Sequence, residues 1–202
     1  MRLKTFLLSL ILFLFLANCR GGGGGGGFGN ATATYTGPNP LYVQCHLKIL
    51  KPGYITWINY TASQDFVPAG TPTTLVSYTS TRATFTRQDN GTSYTLDFGN
   101  GTSDAHSLQL IHKFIDEAPP LVDAGEFQSE IDQKIAKVGM TRDQVYYSMG
   151  PPAWAGAKTN TLDKNQIMNA PLWRYERKTF GKDVGIQFDA NGVVTNTEGI
   201  WK

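Results

Sequence analysis

Few residues of this chain could ligate a metal, act as a nucleophile or move a proton near neutral pH: three histidines and two cysteines among 202 residues. The histidines are His46, His106 and His112, and the cysteines are Cys19 and Cys45. His106 and His112 miss the i, i+4 spacing that sets two ligands on one helix face. Cys45 and His46 are neighbours, which in a strand point to opposite faces. A zinc site has no supporting pattern. No Gly-x-Ser-x-Gly, His-Glu-x-x-His or Walker sequence is present, and nothing selects a catalytic pair among the scattered carboxylates. The expectation is a non-enzymatic chain with no catalytic residues, no metal ligands and no cofactor.

The chemistry of Cys19 is set by what precedes it. Arg2 and Lys4 form a short positive region, and Phe6 to Leu16 is apolar apart from Ser9. That run falls short of the about 20 apolar residues that span a bilayer and has the flanks of a secretory signal peptide. It ends Leu16-Ala17-Asn18-Cys19, which resembles a bacterial lipobox, with Asn18 in place of the usual Gly or Ala. The resemblance implies diacylation of the Cys19 sulfur, cleavage before it and acylation of the new amino group. Residues 1–18 are then a signal peptide, and two or three acyl chains suffice for stable attachment.

Gly21 to Gly27 and Gly29 follow. Such a run cannot bury apolar surface, and ordering it costs more backbone entropy than any other composition. Residues 19–40 read as a lipidated cysteine and a tether, about 25 Å end to end as a coil. Without Arg2 and Lys4, 16 basic residues face 16 acidic ones. A chain so near neutrality lacks the basic patch of a nucleic-acid binder. With Cys19 carrying lipid, Cys45 has no partner and no disulfide framework exists.

Residues 41–118 read as a β-rich domain. Leu41, Val43, Cys45, Leu47 and Ile49 alternate, and Tyr54 to Tyr60 is β-branched and aromatic. Asn90-Gly91 between Arg82–Arg87 and Ser93–Phe98 predicts a hairpin. Five or so antiparallel strands in a small barrel or curled sheet would bury the shared face. Leu108, Ile111, Phe114 and Ile115 then recur at helical spacing after Ser103 or Asp104. Pro119 and Pro120 end that helix, and residues 119–125 read as a linker.

Residues 126–202 read as a second domain. Phe127, Ile131, Ile135 and Val138 make one helical stripe ending at Gly139. Thr141 and Gln144 make a capping box opening a second helix that turns Val145 and Met149 inward. Gly150-Pro151-Pro152 ends it, and a long polar loop follows. Strands are predicted in Leu172–Lys178, in the segment from Asp183, and in the closing residues. The fold class expected is therefore α+β: an N-terminal small antiparallel β barrel or sheet with a C-terminal helix, then two helices on a three-stranded antiparallel sheet.

The second domain resembles the SmpA/OmlA (BamE-like) lipoprotein family. Gly139, Thr141, Gln144, Val145, Gly150, Pro152, Trp173, Tyr175, Phe188, Gly192 and Val194 occupy the places of that family's ordered motifs, with Met149 where it often has Leu. The resemblance implies a BamE-like domain, lipid anchoring on the periplasmic face of the outer membrane, and partnership with the complex that assembles outer-membrane proteins. Residues 41–118 are not part of that resemblance.

Trp173, Tyr175 and Phe188 are expected to pack the sheet onto its helices. Tyr146, Tyr147 and Trp154 are the candidate protein-contact residues, since Val145 and Met149 take the inner helix face and exposed aromatics favour protein contacts. The reading is an outer-membrane-anchored scaffold of the cell envelope. The alternative is a module binding cell-wall glycan through the N-terminal β domain, which a concave aromatic groove involving Trp57 would favour.

Overall fold

The computed structural model describes residues 31–178 and 182–199. The signal peptide, Cys19, the glycine run, residues 179–181 and the last three residues lie outside the described residues.

The first part is built from short strands. These are β1 (Ala33–Thr34), β2 (Leu41–Val43), β3 (Leu47–Lys51), β4 (Tyr54–Thr56), β5 (Phe66–Val67), β6 (Pro72–Tyr78), β7 (Arg82–Arg87) and β8 (Ser93–Asp97). Helix α1 (Asp104–His112) follows, capped by the Ser103 side chain, and β9 (Ile115–Asp116) comes directly after it. The sheet order is β5-β3-β4-β8-β7-β6-β2-β9, with β1 also on β6. The β7–β8 hairpin forms where Asn90-Gly91 predicted it, and Phe85 stacks on its cross-strand partner Tyr94 at 5.5 Å. In β6 a register shift between Leu75 and Ser77 changes the inward parity. Leu75 and then Tyr78 face the core, while Val76 faces out. The β2–β6 ladder runs on past the strand ends, with Gly70 N–H donating to Val43 O at 2.7 Å and Val43 N–H to Thr71 O at 3.0 Å.

The second part holds three more helices, α2 (Gln128–Gln133), α3 (Arg142–Met149) and α4 (Lys164–Met168). Its sheet is β10 (Leu172–Glu176), β11 (Asp183–Phe188) and β12 (Val194–Glu198), antiparallel and in that order. The Thr141–Gln144 capping box closes as predicted, and Val145 and Met149 are buried. Trp173, Tyr175 and Phe188 are buried too, with Trp173 edge-on to Phe188 at 4.7 Å.

The α+β expectation is corrected. The protein is mostly β: a nine-stranded curled mixed sheet, a three-stranded sheet and, among the described residues, four short helices. It is not an antiparallel barrel followed by a BamE-like two-helix domain. Three physical causes account for the difference. First, β4 pairs with β8 in parallel, and long-range pairing leaves no local signature. Second, β1, β5 and β9 have two residues each, too few to show alternation, and β1 lies in the segment assigned to the tether. Third, α2 stops at Lys134, which turns left-handed at φ 57°, so the apolar stripe does not run on and Val138 is 56 % exposed. The run Leu41–Leu50 is likewise two strands, broken at residues 44–46. The polar loop after Trp154 contains α4, whose Asp163–Gln166 capping box was there to be read.

One continuous cluster of buried side chains runs through both parts. Buried Asn59 ties them: its amide donates to the carbonyls of His46 and Met149, and its oxygen accepts from Lys48 N–H at 2.7 Å. Gln44 donates to Ala118 O and Gln144 to Asp123 O, both at 2.8 Å, which holds down the irregular segment between the parts.

Candidate functional site: an aromatic groove where the two sheets meet

Gly150, Pro151, Pro152 and Ala153 are buried, so the chain leaving α3 is forced along the edge of β10. Trp154 and Arg174 then exchange backbone hydrogen bonds at 3.1 and 2.9 Å. Directly paired residues share a sheet face. The Trp154 indole and the Arg174 side chain therefore stand together, with the guanidinium 5.3 Å from the ring centroid. Along β10, Trp173 and Tyr175 point into the core, while Arg174 and Glu176 take the outward face.

The opposite wall comes from the first part. Trp57 follows the last residue of β4 and is half-buried. The segment beyond it is pinned to the end of β10, with Thr61 N–H donating to Glu176 O and Ala62 N–H to Arg177 O. Between Trp57 and Trp154 lies a groove of about 170 Å³, with Ile58 and Ala153 on its floor. Lys158, Arg174, Glu176 and Asp183 rim it. Glu176 and Asp183 are direct cross-strand partners, and Arg174 reaches Asp183 only at 4.0 Å.

The predicted contact residues separate. Trp154 lines this groove. Tyr146 is 2 % exposed and its hydroxyl donates to Lys113 O at 2.7 Å, so it packs in the core with only an edge on the cleft that Tyr147 lines. Helix α3 buries Gln144, Val145, Tyr146, Ser148 and Met149, and Tyr146 meets Trp173 of the second sheet as well as Lys113 after α1. Tyr147 is half-buried, edge-on to His46 at 5.4 Å. It lines a different cleft of about 290 Å³, beside Leu121 and Lys164. A wider depression of about 570 Å³ near Leu50 and Phe66 is rimmed by Arg87, whose guanidinium is already held by Asp89 at 2.6 and 2.9 Å.

The histidines sit apart. His46 accepts from Ala69 N–H at Nδ1, and burial followed by the nearby Lys134 and Lys48 pushes it down to about 4, so it is neutral at pH 7. His112 pairs with Asp116 at 2.7 Å, and His106 with Thr102 at 3.0 Å. Among the described residues no group of three or more His, Cys, Asp or Glu could hold a metal ion. Cys45 is buried, and burial pushes its thiol up to about 12. Sequence reasoning missed Arg174 and Glu176 as site residues, although alternation in Leu172–Glu176 already set them opposite Trp173 and Tyr175. Nothing local could have brought Trp57 to them.

Compared with protein-family models, with curated proteins and with solved structures, the chain gives no significant match. Its own geometry defines it as a mostly β protein with an aromatic groove at the junction of two sheets.

Proposed function

We propose that this chain is a non-enzymatic lipoprotein of the outer membrane, anchored through Cys19 and acting as a binding and scaffolding module in the cell envelope. The observation that carries this reading is the position of the groove relative to the start of the fold. Ala33 pairs with Tyr78, Tyr78 with Ala83, Arg82 with Asp97, and Asp97 with Thr56. The chain thus enters the sheet at the same end of the strands at which β4 delivers Trp57. An anchor upstream of Ala33 would keep the groove within tether reach of the membrane. The glycine tether that the composition implies gives about 20 Å of slack between Cys19 and Ala33.

Confinement beside a surface raises the effective concentration of a weak binding site. That is a sufficient mechanism without chemistry. The periplasmic face is the favoured side, and an envelope protein is the favoured partner. The outer-membrane assembly complex is one candidate, on the order of residues from Gly139 to Val194 alone; the fold that they form is not the BamE-like one.

Metabolic labelling with a palmitate analogue, together with a photo-crosslinking residue at Trp154 in intact cells, tests the reading. Label retained in wild type and lost in Cys19→Ser, with an envelope protein crosslinked, supports it. An unlabelled Cys19, or crosslinks to no envelope protein, overturns it.

A further inference from the structure

We propose that the groove between Trp57 and Trp154 is a saccharide site that takes a single neutral or zwitterionic sugar ring on the Trp154 face, with Arg174, Glu176 and Asp183 holding its hydroxyls. The inference rests on the binding reading above only in treating the groove as the working surface. Its own support is the chemistry of the lining.

Size comes first. Sites for drug-sized ligands and cofactors run about 300–1,000 Å³. A groove of about 170 Å³ is below that range and suits one ring of a longer ligand whose remainder lies outside. Surface chemistry comes second. Two half-buried indoles offer flat, weakly polar faces. The C–H face of a pyranose can stack there with little loss of hydration, as aromatic side chains combine an apolar body with a polar surround.

Charge excludes the main alternatives. Lys158 and Arg174 are matched by Glu176 and Asp183, so the groove is formally neutral. A phosphate or a nucleic-acid backbone would need an excess of cations. An acyl chain would leave four charged groups without partners. An extended peptide adding to the sheet needs an open strand edge, and the β10 edge beside the groove is closed by the Trp154–Arg174 backbone pair.

The carboxylates supply the positive argument. Like charges directly opposite on neighbouring strands are destabilising. Glu176 and Asp183 are so placed and, among the described residues, have no closer counter-ion than Arg174 at 4.0 Å. Donors from ligand hydroxyls, or from an amino group on the sugar, relieve that repulsion. Gly185 is the cross-strand partner of Arg174 on β11, so no side chain there crowds the guanidinium. Arg174 keeps its place beside the Trp154 ring and near Asp183, and its remaining N–H groups donate to the sugar hydroxyls.

The test uses the full-length chain in detergent, titrated with a β-1,4-linked N-acetylglucosamine oligomer and, separately, with a disaccharide–peptide from digested peptidoglycan. Binding is read by calorimetry and by tryptophan fluorescence. Saturable binding of at least one of the two is expected. Trp154→Ala and Arg174→Gln should each weaken it at least about tenfold, with the thermal midpoint lowered by no more than about 4 °C and with Tyr147→Phe binding as wild type. Both substitutions spare the backbone pairing that holds the groove. No saturable binding at millimolar sugar, or undiminished binding in both variants, overturns the inference. Loss of the sugar with crosslinks intact removes this inference alone. Sugar binding by a chain whose Cys19 carries no lipid removes the anchored reading alone.

Discussion

The Lys113 ammonium lies in the core and donates to the carbonyl oxygen of Thr159 at 2.6 Å and to that of Leu162 at 3.1 Å, clasping the end of α1 to the loop before α4. Its residue is 0 % exposed. Burial pushes the group from the usual 10.5 down to about 7, against a smaller upward pull from Asp163. Between those two values the unfolded chain holds a proton that the folded chain releases. Raising the pH through that window therefore favours the fold. Stability should rise by roughly 2 kcal/mol from pH 7 to 9, a slope of up to about 1.4 kcal/mol per pH unit for one proton. Lys48, pushed down to about 8, acts in the same direction. Urea unfolding across this range should show the rise, and Lys113→Met should remove most of it. A slope unchanged in that variant would locate the proton elsewhere.

On the acid side the sign is set by His46. Its folded value of about 4 lies below the ordinary 6.5. Between these values the unfolded chain takes up a proton that the folded chain refuses. Stability contributed by the neutral ring is thus present above pH 6.5 and is lost as the pH falls to 4. His46→Phe should flatten the acid limb of the urea midpoint while lowering the midpoint at pH 7, because Ala69 N–H loses its acceptor.

Asn59 and Gly150 form one joint between the two parts. Asn59→Ala would leave the Lys48 N–H and the His46 and Met149 carbonyls without their partner in a buried place. Each orphaned group costs about 1–3 kcal/mol, so a loss of several kcal/mol is expected in chemical denaturation. Gly150 sits at φ 74°, and a Cβ there would come 2.5 Å from Asn59 Nδ2 and 3.2 Å from Cys45 Sγ. Gly150→Ala should cost at least about 1–3 kcal/mol for the backbone alone. A loss under about 0.5 kcal/mol in either variant would show that the joint is loose.

These residues show what was legible in the chain. The local devices were: the β7–β8 hairpin at Asn90-Gly91, the Thr141–Gln144 box, and the inward set Trp173, Tyr175 and Phe188. Each is written within a few residues by turn chemistry or by period. The joint was not legible. Asn59 reads as one polar residue inside the run Tyr54–Tyr60, and Met149 and Gly150, which it meets, lie far along the sequence. The same holds for the groove. Trp154 reads as an aromatic after Gly-Pro-Pro, but its pairing to Arg174 spans twenty residues, and the approach of Trp57 depends on Thr61 and Ala62 pairing with Glu176 and Arg177, neither of which a local pattern encodes.

Trp154 and Trp173 should separate cleanly in stability. Trp173 is fully buried, its indole N–H donates to Ile167 O at 2.9 Å, and it meets Tyr146, Tyr175 and Phe188 edge-on. Trp173→Ala should cost about 3–5 kcal/mol. Trp154 is half-buried at the groove, and Trp154→Ala should cost less than about 1 kcal/mol. Paired urea curves decide it, and equal losses would mean that Trp154 is a core residue and not a surface for a ligand.

A thiol count tests the anchor with little apparatus. The chain has two cysteines. Cys45 is 0 % exposed, and burial holds its thiol up at about 12. The thiolate is the reactive form, so Cys45 should be inert to a thiol reagent at pH 8 while the chain is folded and should react in full once urea exposes it. An acylated Cys19 carries a thioether and never reacts. Protein extracted from membranes under reducing conditions should therefore titrate no thiol when native and one when unfolded. A Cys19→Ser chain should give the same pair of values, because Cys45 alone then carries a thiol. Two thiols in the unfolded wild-type protein would mean a bare Cys19, and one in the native protein would mean the same or an accessible Cys45; Cys45→Ala distinguishes the two.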